Sequence, residues 1–110
     1  MRQFVIDELS PMENDNIDSY LKRYLKHSPM VGVYWLTIPP ELYTDLQKEH
    51  ESCGPYYSSV ELDRYGLRFE LLVRSSSNMH CECIGYGNKE QRLFILDFID
   101  TMLEKELIKA

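Results

Sequence analysis

Between Tyr56 and Gly87 apolar and polar residues alternate over most of the chain. Leu67, Phe69, Leu71 and Val73 are interleaved with Arg68, Glu70 and Arg74. Val60 and Leu62 alternate with Glu61 and Asp63, and Met79, Cys81 and Cys83 alternate with His80 and Glu82. A period of two belongs to a strand with one buried and one wet face. The stretch 56–86 therefore predicts a three-strand antiparallel meander.

Elsewhere the period lengthens. Ser10-Pro11-Met12-Glu13 carries a helix-start signature, with Ser at the N-cap, Pro at the first helical position and Glu three residues after the cap. Ile17, Tyr20, Leu21, Tyr24 and Leu25 then form one apolar face. The polar run 13–16 places the regular start of this helix near Asn16, and Ser28-Pro29 marks its end. Pro39-Pro40 opens a second helix reaching Cys53, with Leu42, Leu46 and Cys53 on one face and Gly54 as a left-handed cap. Asn88 and Gln91 form a capping-box pattern for a third helix. Its stripe is Leu93, Leu96, Ile99, Leu103 and Leu107, widened by Ile95, Phe98 and Met102, with Phe94 further round.

Two more strands complete the reading. Residues 31–38 are apolar on both faces, which suits a strand covered on both sides or central in the sheet, and residues 3–8 suit an edge strand with Phe4 and Ile6 inward. The order (β)αβαβββα implies an α+β fold with two layers, helices packed on one face of a mostly antiparallel sheet. Residues 1–110 suffice for a single domain. If strand 31–38 joins the meander, its crossover through the second helix is expected to be right-handed.

Composition narrows the function classes. Twelve Lys and Arg face eighteen Asp and Glu, a net charge of -6, which argues against a nucleic-acid partner because phosphate contacts need clustered cations. The apolar run Phe4-Val5-Ile6 is too short for a signal-peptide core, and no stretch approaches a membrane span. Three cysteines without an export signal read as reduced thiols of a cytoplasmic protein.

The cysteines offer one chemistry. His50-Glu51-Ser52-Cys53 and His80-Cys81-Glu82-Cys83 each contain an H-x-x-C spacing. On a strand, residues three apart face opposite sides, so His80 and Cys83 do not converge without a bulge. The more coherent zinc or copper set is Cys53, Cys81 and Cys83, with His50 or Met79 as fourth ligand. The competing expectation is no cofactor, with the cysteines as buried small hydrophobes. A Cys81–Cys83 disulfide is disfavoured, because i and i+2 on a strand lie at the limit of bridgeable spacing.

Other polar residues suggest surfaces. Glu61, Asp63, Arg68, Glu70, Arg74, His80 and Glu82 share a charged sheet face, expected as cross-strand ion pairs. Read functionally, Arg68 and Arg74 would anchor an anionic or peptide ligand, and His80, Glu82, Glu70 and Arg68 would be the acid–base group of an enzyme. Tyr57 and Tyr86 suggest an exposed aromatic patch, and Phe94 and Phe98 lie on the broad apolar arc of the last helix, which suits a second subunit.

From Pro40 to Leu107 the order helix, three strands, helix resembles that of a double-stranded-RNA-binding domain, including the Gly85-Tyr86-Gly87 turn before the last helix. The family's lysine cluster at that helix start is replaced by Lys89-Glu90-Gln91-Arg92, and four cations face five anions from Asn88 onward. The resemblance thus implies α+β packing alone. The leading expectation is a non-enzymatic protein-binding or regulatory module, partnered by another protein or by itself as a homodimer. The alternative is a metal- or redox-responsive protein using Cys53, Cys81 and Cys83, and the third is an enzyme on the charged face.

Overall fold

A computed structural model describes residues 1–110. Strands β1 (Gln3–Asp7), β2 (Lys26–His27), β3 (Val33–Thr37), β4 (Tyr56–Asp63), β5 (Gly66–Ser75) and β6 (Gly85–Tyr86) form one sheet. The order is β1-β5-β4-β3-β2, every pairing is antiparallel, and β6 takes over from β1 along the same edge of β5. Helices α1 (Pro11–Tyr24) and α3 (Lys89–Lys105) cover one face, and the short α2 (Asp45–Glu49) lies between β3 and β4 in sequence. The expected α+β class and the edge strand at the N-terminus are present. No helix is long and apolar enough to cross a membrane.

Local chemistry explains the boundaries. Ser10 and Glu13 exchange both capping-box hydrogen bonds, 3.1 Å from the Glu13 amide and 2.8 Å from the Ser10 amide. With Pro11 at the first position, α1 starts there and not near Asn16. The polar run is anchored as well, since the Asn14 side-chain amide donates to the Asp63 carbonyl at 2.9 Å. The helix ends at Tyr24, before the expected Ser28-Pro29 stop. Leu25 turns extended and the chain enters β2, pairing Lys26 with Trp35 and His27 with Tyr34. Strand β3 runs antiparallel to β4, so no right-handed crossover arises between them.

Three further expectations are corrected. The helix expected from 40 to 53 is a 3-10 turn (Pro40–Leu42), then α2, then a second 3-10 turn (Glu51–Cys53). Thr44 and Gln47 make a capping box that restarts the helix part-way. Gly54 sits at φ -73°, an ordinary extended residue and not a left-handed cap. The third strand of the meander shrinks to Gly85–Tyr86. Residues 76–84 instead form successive turns, Cys81 N to Asn78 O and Ile84 N to Cys81 O (both 3.1 Å), started by the Asn78 side chain accepting from the His80 amide. Of the likeness to a double-stranded-RNA-binding domain, the first helix keeps only Asp45–Glu49 and the third strand only Gly85–Tyr86.

Packing divides the inner face in two. The main core joins Ile6, Leu67, Phe69, Val60 and Tyr34 of the sheet to Ile17 and Leu21 of α1 and Ile95, Ile99 and Met102 of α3. The buried stripe of α3 is thus Gln91, Ile95, Ile99 and Met102, whereas Leu93 and Leu107 of the expected stripe are exposed. Phe98 stacks edge-on against Tyr20 of α1 at 5.8 Å and Phe94 touches both cores, which explains the breadth of the apolar arc. The second core is small: Ile38, Tyr56, Val73, Cys53, Cys81 and Cys83, flanked by Leu42, Tyr43 and Ile84. Between them β5 bulges against β4, where the buried Ser58 hydroxyl donates to the Glu70 carbonyl at 2.6 Å.

One polar contact ties α1 to the sheet: the Tyr34 hydroxyl donates to Asp18 at 2.7 Å. Burial, then this bond, push the Tyr34 phenol up to about 12. Burial by itself would raise the Asp18 carboxyl, but the Tyr34 and Lys22 bonds outweigh it and hold it below its ordinary value. Tyr34→Phe should therefore lower stability by about 1 kcal/mol at neutral pH, a modest figure because Asp18 is partly solvated. Since Asp18 titrates lower folded than unfolded, its contribution is complete above the ordinary carboxylate range near pH ~4 and fades as the pH falls below it. Urea unfolding of both proteins should show the gap closing in acid; a gap independent of pH would disprove the pairing.

Candidate metal centre

The second core sits where the main helices end, and its framework is polar. The Tyr56 hydroxyl lies between two carbonyls of the 45–50 segment, Gln47 O at 3.1 Å and His50 O at 2.7 Å. The Gln91 side-chain amide donates to Leu42 O and to Gln47 Oε1, both at 3.0 Å. These bonds fix the irregular segment 40–54 against β4 and the start of α3. The turns at 76–84 are fixed in turn to 52–54. The buried Ser75 hydroxyl donates to Cys53 O, and the Ser77 hydroxyl to Ser52 O at 2.9 Å.

Two irregular segments so pinned bring four side chains together. The ligand atoms of His50, Cys53, Cys81 and Cys83 all lie within 4.8 Å of one another. The three cysteines are buried and His50 closes the outer side. His50 Nδ1 faces inward, 3.5 Å from Cys81 Sγ, while Nε2 faces Glu82 at 3.7 Å. The Cys83 amide donates to Cys81 Sγ at 3.3 Å. Three sulfurs and one imidazole nitrogen, with His50 partly exposed on the outer side, match in kind and number the donor set of a structural zinc site. A carboxylate on the far nitrogen of the imidazole is the usual outer partner of a metal-ligating histidine.

The structure also joins Cys81 to Cys83 as a disulfide, with Cα atoms 5.2 Å apart. This corrects the expectation that the pair is too far apart. That expectation assumed strand geometry, whereas the turns at 78–84 draw the two residues into bridgeable range. Cys53 remains a free thiol.

Sequence reasoning placed Cys53, Cys81, Cys83 and His50 together and the structure does the same. Met79, the other fourth ligand considered, is exposed, and His80 is exposed outside the cluster. Glu82 was assigned to the charged sheet face; it stands instead beside His50, and neither it nor His80 lies in the sheet. Of the residues that hold the site in place, Gln91 and Gln47 carry capping-box signals, the second as Thr44-Asp45-Leu46-Gln47, whereas Ser75 carries none.

The remaining charged face is paired. Arg68 binds Asp63 at 2.6 Å and Glu61 at 3.0 Å, and the bond to Asp63 holds the Arg68 guanidinium above its ordinary pKa and the Asp63 carboxyl below its own. Arg74 grips Glu70 through two nitrogens at 2.8 and 3.0 Å. Tyr57 stacks flat on Trp35 with centroids 4.2 Å apart, and Tyr86 lies under Arg2. Phe94 and Phe98 are partly buried against the cores and form no separate surface.

Removing the Ser75 hydroxyl would leave the Cys53 carbonyl and the Asn78 amide without partners. Ser75→Ala should cost roughly 1–3 kcal/mol and speed hydrogen exchange at Asn78 and Cys81, with little change in α1. Unchanged exchange in the 76–84 turns would show that this hydroxyl does not hold them. No family model, curated protein or solved structure matches this chain, so its function has to be read from its own residues.

Proposed function

We propose that this chain is a zinc-binding protein whose metal joins the segment 50–53 to the turns at 81–83. One observation carries this reading: three cysteine sulfurs and an imidazole converge within 4.8 Å in a small core. With Cys81 and Cys83 reduced, four donors suffice for a tetrahedral ion. Zn–S bonds of about 2.3 Å correspond to sulfurs roughly 3.8 Å apart, reached by side-chain rotation within the present spacing. Four protein ligands leave no open position for substrate or water, so the role is structural and regulatory, not catalytic. Glu82, 3.7 Å from Nε2, stands on the side away from the cluster, so that Nδ1 would face the metal. Zinc ranks above copper because the set mixes thiolate with imidazole in a closed site. A reducing cytoplasm would keep the thiols available.

A second reading has its own support. The outer sheet face carries no helix, and on it the Trp35–Tyr57 stack lies beside Lys26 and Arg74. This favours the reading of a module that binds another protein or a second copy of itself, with the zinc core as its scaffold.

Native mass spectrometry of the reduced chain, purified without chelator, reads metal and subunit count together. One zinc per chain is expected, with loss in Cys53→Ser and His50→Ala and a 10–100-fold weaker affinity in Glu82→Gln. Free zinc at a thousand times its dissociation constant should add about 4 kcal/mol to stability, reversed by chelator. A chain that takes up neither zinc nor cobalt(II) when reduced would overturn the metal reading. A strictly monomeric chain would remove the homodimer.

A further inference from the structure

We infer that the zinc site is a peroxide-responsive switch in which oxidation joins Cys81 to Cys83 and ejects the metal. The inference rests on the zinc reading above and adds its regulation. Two facts meet at one place. Cys81 and Cys83 belong to the four-donor cluster, and they are also the pair that the structure joins as a disulfide. The two roles exclude each other, because a disulfide sulfur is no longer a thiolate ligand. Joining the pair removes two of four donors and leaves Cys53 and His50, too few to retain zinc.

The chemistry balances with hydrogen peroxide as oxidant. The Cys81 thiolate, beside the half-exposed His50, attacks the O–O bond. One oxygen is transferred to sulfur as sulfenic acid and hydroxide leaves. The Cys83 thiolate then attacks that sulfur, the S–S bond forms and a second hydroxide leaves. The two thiolates together lose two electrons, the peroxide gains them, and the two hydroxides are neutralised by protons from the buffer. Cys53 is unpaired in the structure and stays a thiol. A dithiol reductant reverses the exchange.

The switch changes what is cross-linked. Zinc ties Cys53 to Cys81, 28 residues apart in sequence, whereas the disulfide spans a separation of only two. A bridge over so short a loop restrains the turns themselves and does nothing to hold them to segment 50–53. Oxidation therefore loosens residues 76–84 from 50–54 while leaving the main core intact.

The test starts from the reduced full chain loaded with zinc and adds hydrogen peroxide in small molar excess. Zinc release is followed with a chromophoric chelator, and the cysteines are mapped by peptide mass spectrometry without reduction. The expected result is one zinc released per Cys81–Cys83 disulfide, with reuptake after dithiol treatment and faster hydrogen exchange confined to 76–84 and 50–54. Cys83→His keeps four donors and removes the Cys81–Cys83 pair, and its zinc release should be at least tenfold slower. Failure to load zinc at the outset overturns the zinc reading itself. Zinc loaded but retained with thiols intact overturns the switch alone, as does release accompanied by sulfinic acid or by a disulfide to Cys53. Should Cys83→His not fold, the wild-type cysteine map still decides.

Discussion

The sheet is longer than its helices can cover, and the rest of the molecule follows from that. Strand β5 runs ten residues. Its first half, Leu67 and Phe69, lies under α1 and α3 with a full apolar core. Beyond the bulge at Glu70–Leu72 it continues to Val73 and Ser75, where no long helix is available. The chain covers that end with two segments that are mostly turn, 40–54 and 76–84. Neither makes enough regular hydrogen bonds to stand alone, and the apolar residues between them are few. Backbone groups there are satisfied by side chains instead: the Tyr56 hydroxyl for the His50 carbonyl, Gln91 for that of Leu42, Ser75 and Ser77 for the 52–54 turn. A small core built this way has little to hold it but polar bonds and whatever its three sulfurs bind.

The difference between the two ends also governs how much was legible. At the main core the signals agree: capping boxes at Ser10 and Asn88, helical periods in α1 and α3, strict alternation in β4 and β5. The α+β architecture followed. At the second core the signals conflict. Met79, His80, Cys81, Glu82 and Cys83 alternate as a strand would, but Ser76-Ser77-Asn78 favours turns, and the side-chain bonds of Ser75 and Asn78 settle the competition. Likewise Leu42, Leu46 and Cys53 match a helical face, yet the Thr44 capping box restarts the chain and leaves only one short helix.

The four side chains that the sequence grouped do lie together, but in a different shape. Cys81 and Cys83 were placed on one strand face, which brought them toward Cys53 but forbade their bridging. In the turns they are closer, and the same sequence pair gains a second chemistry. Glu82 shows the opposite error. Alternation sent it to the charged sheet face with Arg68 and Glu70, whereas the turns swing it round to the imidazole of His50. Residues between two ligands are therefore poor guides to a face unless the backbone between them is known to be extended.

Placing the candidate metal-binding residues in turns, and not in strands, has a further consequence. A ligand set built on β4 and β5 would be held by the ladder whether or not it was occupied. Here the four side chains hang from irregular segments held by a few side-chain bonds and a small apolar cluster, so on the zinc reading proposed above occupancy and order in 50–54 and 76–84 would be coupled. The main core shares little with them beyond Phe94 and the Gln91 amide. It can thus remain folded while the far end gains or loses its cross-link. That separation allows one end of a small chain to respond to its surroundings without unfolding the other.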